Sequence, residues 1–145
     1  PISMGNPHAI YFTNNVDEIN IEDIGEKIEN YKYFPNKTNV EFVQIINKGN
    51  IKMRVWERGV GETLGCGTGA CAAGIVSYWK KSTNRDVIVD LPGGKLKIVY
   101  FEKEKVYELR LAHTLLCYYL SLCRKTEAIS TLYTISISRS FPVTL

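Results

Sequence analysis

Cys66 stands in the stretch Gly65-Cys66-Gly67-Thr68-Gly69, directly ahead of an apolar run beginning at Ala70. Glycines on both sides let the backbone come close to a ligand. A helix starting here would present unpaired N–H groups and the positive end of its dipole, a natural seat for a carboxylate. The same field favours thiolate over thiol, so Cys66 is expected to be reactive, with Gly67, Thr68 and Gly69 clamping a carboxylate beside its sulfur. Other readings compete. Many buried cysteines are inert core residues. A phosphate-binding loop is excluded because no Gly-Lys-Ser/Thr follows. Cys71, five positions on, points about 140° away on a helix and reads as core. No Cys-x2-Cys or His-x3-His spacing links Cys66, Cys71, Cys117, Cys123, His8 and His113, so no metal site is expected.

These residues need a frame. Ala9 to Thr13 reads as a buried strand, and Asn20 to Glu29 as a short helix capped by Asn20, with Ile21, Ile24 and Ile28 on one face. Tyr31 to Lys37 is a loop. Asn39–Ile46 and Ile51–Arg58 are strands forming a hairpin through Asn47-Lys48-Gly49-Asn50, where Gly and Asn tolerate the positive φ such turns use. The stretch 59–63 reads as loop. Ala70 to Lys81 is a helix apolar nearly all round and hence buried. Asp86–Leu91 and Lys95–Phe101 are strands around Pro92-Gly93-Gly94.

The 145 residues are one domain's worth of chain, 45% hydrophobic and 23% charged. Residues 1–109 carry 14 Lys/Arg and 14 Asp/Glu, so the net +3 lies in the last 36 residues. No basic stripe interleaved with aromatics supports nucleic-acid binding. The apolar run Leu111–Cys123 is interrupted and too short to span a membrane. Four cysteines without a secretory leader point to reduced thiols in the cytoplasm. Lacking an initiator methionine, the chain is expected to begin inside a longer protein. All 11 glycines and four aspartates lie at or before Gly94. Residues 110–145 are therefore read as an atypical tail, with a strand-like stretch at Thr131–Ser138, after a domain spanning 1–109.

Five collinear segments make the chain resemble the diaminopimelate epimerase family over residues 1 to about 107: Met4-Gly5-Asn6-Pro7-His8, Thr38-Asn39-Val40-Glu41-Phe42, Arg54-Val55-Trp56-Glu57-Arg58-Gly59, Glu62 through Cys71, and Leu91-Pro92-Gly93-Gly94. The resemblance implies an α+β fold, a curled mixed/antiparallel sheet wrapped around a central helix, one of two similar domains and here incomplete. It implies epimerisation of LL- and meso-diaminopimelate without pyridoxal phosphate or other cofactor, for lysine and peptidoglycan precursors. One cysteine thiolate removes the α-proton and a second cysteine delivers one to the opposite face. Carried over by position, Cys66 is one of the pair, and Gly67 and Thr68 clamp the reacting carboxylate. Asn6, Asn39, Glu57 and Arg58 hold the substrate's polar groups, Arg58 through its planar fork. Glu57 and His8 tune or relay protons. Plainer roles are a turn cap for His8, loop geometry for Asn39 and a surface ion pair for Glu57 and Arg58.

The departures shape the expectation for function. The family's other cysteine loop, Cys-Gly-Asn-Gly, is absent, as are the opening strands and a closing Gly-Pro segment. The chain alone is expected to be inactive, its partners being an amino-terminal half of the enzyme and, as a candidate, a second copy in a homodimer. Alternatives are a non-catalytic fragment, a related isomerase of proline racemase or phenazine-biosynthesis type, and, more remotely, a cysteine hydrolase using His8 or His113.

Overall fold

The structure, a computed structural model, describes residues 1–103 and 106–112. One eight-stranded sheet and two helices make up these residues. The strands are β1 (Ile2–Ser3), β2 (Pro7–Phe12), β3 (Asn39–Asn47), β4 (Asn50–Glu57), β5 (Gly61–Thr63), β6 (Asp86–Leu91), β7 (Gly94–Lys103) and β8 (Val106–Ala112). The helices are α1 (Ile21–Glu29), between β2 and β3, and α2 (Gly67–Trp79), between β5 and β6. Strand order is β1-β2-β3-β4-β6-β7-β8, with β5 paired to β4 off this path. The β2–β3 and β4–β6 pairs are parallel and the rest antiparallel. The sheet is thus mixed, as expected.

Side-chain alternation along β3 and β4 explains the layers. Val43, Ile51, Met53 and Val55 join the buried face of α2 in the main core, with Val87, Val89, Leu96 and Ile98. Val40 and Phe42 face the other way and meet Ile21, Ile24 and Ile28 of α1, together with Trp56 of β4. With both faces covered, the first five residues of β3 are all buried. Burial over Asn39–Val43 is therefore continuous, even though Asn39 and Glu41 are polar. Helix α2 touches β2, β3, β4, β6 and β7, so the sheet curls around it. Gly69 through Ile75 and Ser77 are buried, consistent with a helix apolar nearly all round. Burying each large aliphatic side chain contributes about 1.5–3 kcal/mol.

Several expectations shift in detail. Asn20 does cap α1, accepting from Asp23 N at 3.3 Å. Helix α2 begins three residues before the expected Ala70, because Cys66 itself is the cap. The β3–β4 turn needs no positive φ; the Asn47 side chain closes it by accepting from Gly49 N at 2.8 Å. Residues 61–63, read as loop, pair with β4 instead. Strand β8 pairs with β7 from Val106 to Ala112 and so crosses residue 109, the expected domain boundary. Residues 113–145, with His113, Cys117, Cys123 and the strand-like stretch at 131–138, lie outside the described residues. Among the described residues no helix is long and apolar enough to cross a membrane.

Candidate active site

The site assembles where β2, β3 and β4 present their ends beside the first turn of α2. Cys66 has extended backbone geometry, φ −130° and ψ 117°, and its side chain caps the helix. Sγ accepts from Gly69 N at 3.4 Å and lies 3.3 Å from Thr68 Oγ1. With the Gly69 N–H used in this way, Gly67 and Thr68 keep the first-turn N–H groups that have no intrahelical acceptor. The loop bearing Cys66 is held from below by the β6–β7 turn, where Gly93 N donates to Leu64 O at 2.8 Å. A Cβ at Gly93 would stand 2.9 Å from that same oxygen.

The thiol departs from the sequence expectation. Burial pushes the Cys66 pKa up, and the charge of Glu57 acts in the same direction. The bonds from Thr68 and Gly69 offset this only in part. Half-buried beside two carboxyl groups, Cys66 rests as a thiol at neutral pH. The helix field alone does not decide its state. Cys71 is fully buried, as expected of a core residue, and its thiol is pushed up to about 12, first by burial.

His8 is not a turn cap. It sits within β2 with no exposed surface. Its Nδ1 lies 2.7 Å from Glu41 Oε1 and its Nε2 lies 2.9 Å from Asn6 Oδ1. Glu41 has no catalytic signature of its own in the sequence; its signal there is a glutamate at a strand position between valine and phenylalanine.

Asn39 ties three strands: Nδ2 donates to Pro7 O at 3.0 Å and Oδ1 accepts from Arg58 N at 2.9 Å. Glu57 and Arg58 do not pair with each other. Glu57 Oε1 accepts from Thr63 Oγ1 at 2.5 Å, while Arg58 Nη1 donates to Asn36 O at 3.1 Å and the residue is exposed. A buried acid missed by the sequence reading, Glu29, secures the same turn. It accepts from Gly59 N at 3.0 Å and Trp56 Nε1 at 2.6 Å, and Lys37 lies 3.3 Å away. Cys66, Thr68 and Gly67 are thus brought together with Glu57. His8 and Asn6 form a separate bonded wall joined to this group through Glu41, which lies against Gly69 of the same helix turn. Among the described residues no three His, Cys, Asp or Glu side chains could hold a metal ion.

The fold is that of two solved phenazine biosynthesis proteins of the PhzF family. The one from Bacillus anthracis matches at a TM-score of 0.56 and 19% identity, over 77% of this chain and 36% of that one. The one from Enterococcus faecalis matches at 0.52 and 20%, over 72% and 36%. A family model described as diaminopimelate epimerase matches residues 1–111, and the chain belongs to that family of isomerases. It is similar to diaminopimelate epimerase of Methanococcus maripaludis, 55% identical over 104 residues, covering 72% of this chain and 38% of the relative. The Brachyspira hyodysenteriae enzyme is 48% identical over 106 residues, covering 73% and 38%. The chloroplastic enzyme of Oryza sativa subsp. japonica is 45% identical over 109 residues, covering 71% and 31%. The chain therefore spans less than two fifths of the length of these curated relatives.

Proposed function

We propose that this chain forms the Cys66 half of a diaminopimelate epimerase site, acting on an α-carbon through cysteine chemistry without a cofactor. The observation that carries the reading is Cys66 as side-chain cap of α2, its sulfur accepting from the Gly69 N–H and leaving the first-turn N–H groups of Gly67 and Thr68 without an intrahelical acceptor. A substrate carboxylate bound to those N–H groups places its α-carbon near Sγ. Developing negative charge on the carboxylate is then met by fixed donors in a site partly closed to water.

Two cysteines divide the proton transfer. As a thiol, Cys66 gives its proton to the α-carbanion and becomes thiolate; in the reverse direction the thiolate removes the α-proton and becomes thiol. The opposing cysteine must approach the other face, and Cys71 cannot serve because it is buried in the core. We assign that role to the family's other domain, making this chain alone inactive as an epimerase. Exposed Arg58, its backbone fixed by Asn39, meets the substrate's distal carboxylate. Glu57, held by Thr63, lies near enough for its charge to bear on the Cys66 thiol.

Exchange of the α-hydrogen of diaminopimelate in deuterated water tests this. The expected result is slow exchange by the chain alone, abolished in Cys66→Ala, with epimerisation only when the amino-terminal half is added. Epimerisation by the chain alone, or exchange that survives Cys66→Ala, would overturn the reading.

A further inference from the structure

Among the described residues, His8 and Glu41 are the two largest polar side chains with essentially no exposed surface, and they touch. The second ring nitrogen of His8, Nε2, faces Asn6 Oδ1 at 2.9 Å. An amide oxygen only accepts, so Nε2 carries a hydrogen. The contact between Nδ1 and Glu41 is then either imidazolium against carboxylate, or a neutral ring accepting from a carboxylic acid.

The surroundings favour the acid. Glu41 Oε2 is buried without a hydrogen-bond partner. A carboxylate would leave charge on that oxygen with nothing to solvate it, whereas an acid leaves only a carbonyl-like oxygen. The ionisable groups that bear on the carboxyl are His8 from β2 and Glu57 from β4, and the Cys66 thiol at the cap of α2 lies within range of any charge there. Glu57 disfavours a second negative charge there. Burial pushes the Glu41 carboxyl up even though His8 opposes the shift.

We propose that Glu41 is a positioning residue that keeps its proton and, through His8, turns Asn6 so that an N–H donor faces the site. Glu41 O–H donates to Nδ1, Nε2–H donates to Asn6 Oδ1, and the half-buried Asn6 amide nitrogen points away from the ring. That nitrogen suits a carboxylate of the ligand. An ionised Glu41 beside a neutral ring would take the hydrogen on Nδ1, leave Nε2 to accept from the Asn6 amide, and turn the Asn6 oxygen outward, which suits an ammonium group. One buried proton sets which end of an amino acid this wall accepts. The ligand class rests on the function proposed above, but the proton arrangement does not.

Nitrogen-15 NMR of the imidazole rings in the full chain at neutral pH tests it, with His113→Gln separating the two histidines. The expected result is a His8 ring protonated at Nε2 alone. Glu41→Gln should keep that tautomer, because its amide N–H donates to Nδ1. Glu41→Met, which has no donor, should give a mixture of tautomers. A ring protonated at Nδ1 in the parent chain, whether singly or doubly protonated, would overturn the proposal. So would an unchanged tautomer in a folded Glu41→Met protein. Should Glu41→Met not fold, the parent and Glu41→Gln spectra decide the matter. Because the ring and not turnover is read, failure of the epimerase reading would leave this result standing.

Discussion

Gly69 and Glu41 meet so closely that a Cβ on Gly69 would stand 2.6 Å from Glu41 Oε1. The same glycine donates its N–H to Cys66 Sγ. The glycine is required by this approach and not by its φ, which lies outside the left-handed region. Gly69→Ala would gain about 1 kcal/mol of helix propensity. Displacing a buried carboxyl costs about 1–3 kcal/mol. The net expectation is destabilisation in urea unfolding; a variant as stable as the parent would show that the carboxyl can withdraw freely.

Cys66 alkylation should reflect a raised thiol pKa. Its rate with iodoacetamide is expected to keep climbing beyond the ordinary thiol range near about pH 8.5. Thr68→Val removes a bond that lowers the pKa, so alkylation at pH 8 should slow, by about 2- to 10-fold for a bond of ordinary strength. Glu57→Gln removes a charge that raises it and should speed the reaction. Shifts of the same sign in both variants would contradict this account. Cys71 should stay unmodified until the chain unfolds.

Glu29 links stability to pH. Burial raises its pKa, but the bonds from Trp56, Gly59 and Lys37 outweigh that and leave it below its usual value of 4.5. A carboxyl depressed on folding stabilises above its unfolded pKa, and that contribution is lost as pH falls through the folded value. Glu29→Gln should therefore lower stability by about 1 kcal/mol at pH 7. The gap between variant and parent should narrow below pH 4.5. Thermal unfolding at pH 7 and pH 3 measures both, and a gap that widens in acid would refute the sign.

Gly25 lies in the middle of α1, where alanine would ordinarily stabilise by about 1 kcal/mol. Here a Cβ would stand 2.7 Å from Trp56 Cγ. Gly25→Ala is expected to lower the unfolding midpoint, and because the indole must shift, to change tryptophan fluorescence. An unaltered spectrum would place the clash elsewhere.

Elements with strong periodicity or cap chemistry were legible before the structure. Ile21, Ile24 and Ile28 with Asn20 define α1, and the all-apolar run after Gly69 defines α2. Strand β5 was not legible, because three residues between glycines carry no pattern of their own; their pairing comes from β4. Cys66 was legible as a site by its glycine setting, but the state of its thiol was not. That depends first on burial and then on Glu57, which β4 sets beside it. The partners of His8 were hidden for the same reason: Glu41 lies 33 residues away in sequence.

Helix α2 is pinned at both ends to the β3–β4 hairpin. Glu41 lies against Gly69 at its start. Past its end, Lys48 in the hairpin turn accepts from Asn84 N at 2.6 Å and donates through Nζ to Lys81 O at 2.5 Å. A rod clamped at two points along one support can neither slide nor pivot without breaking one clamp. Cys66, the cap of that rod, therefore keeps its register over β3 and β4 and serves as a fixed jaw of the site.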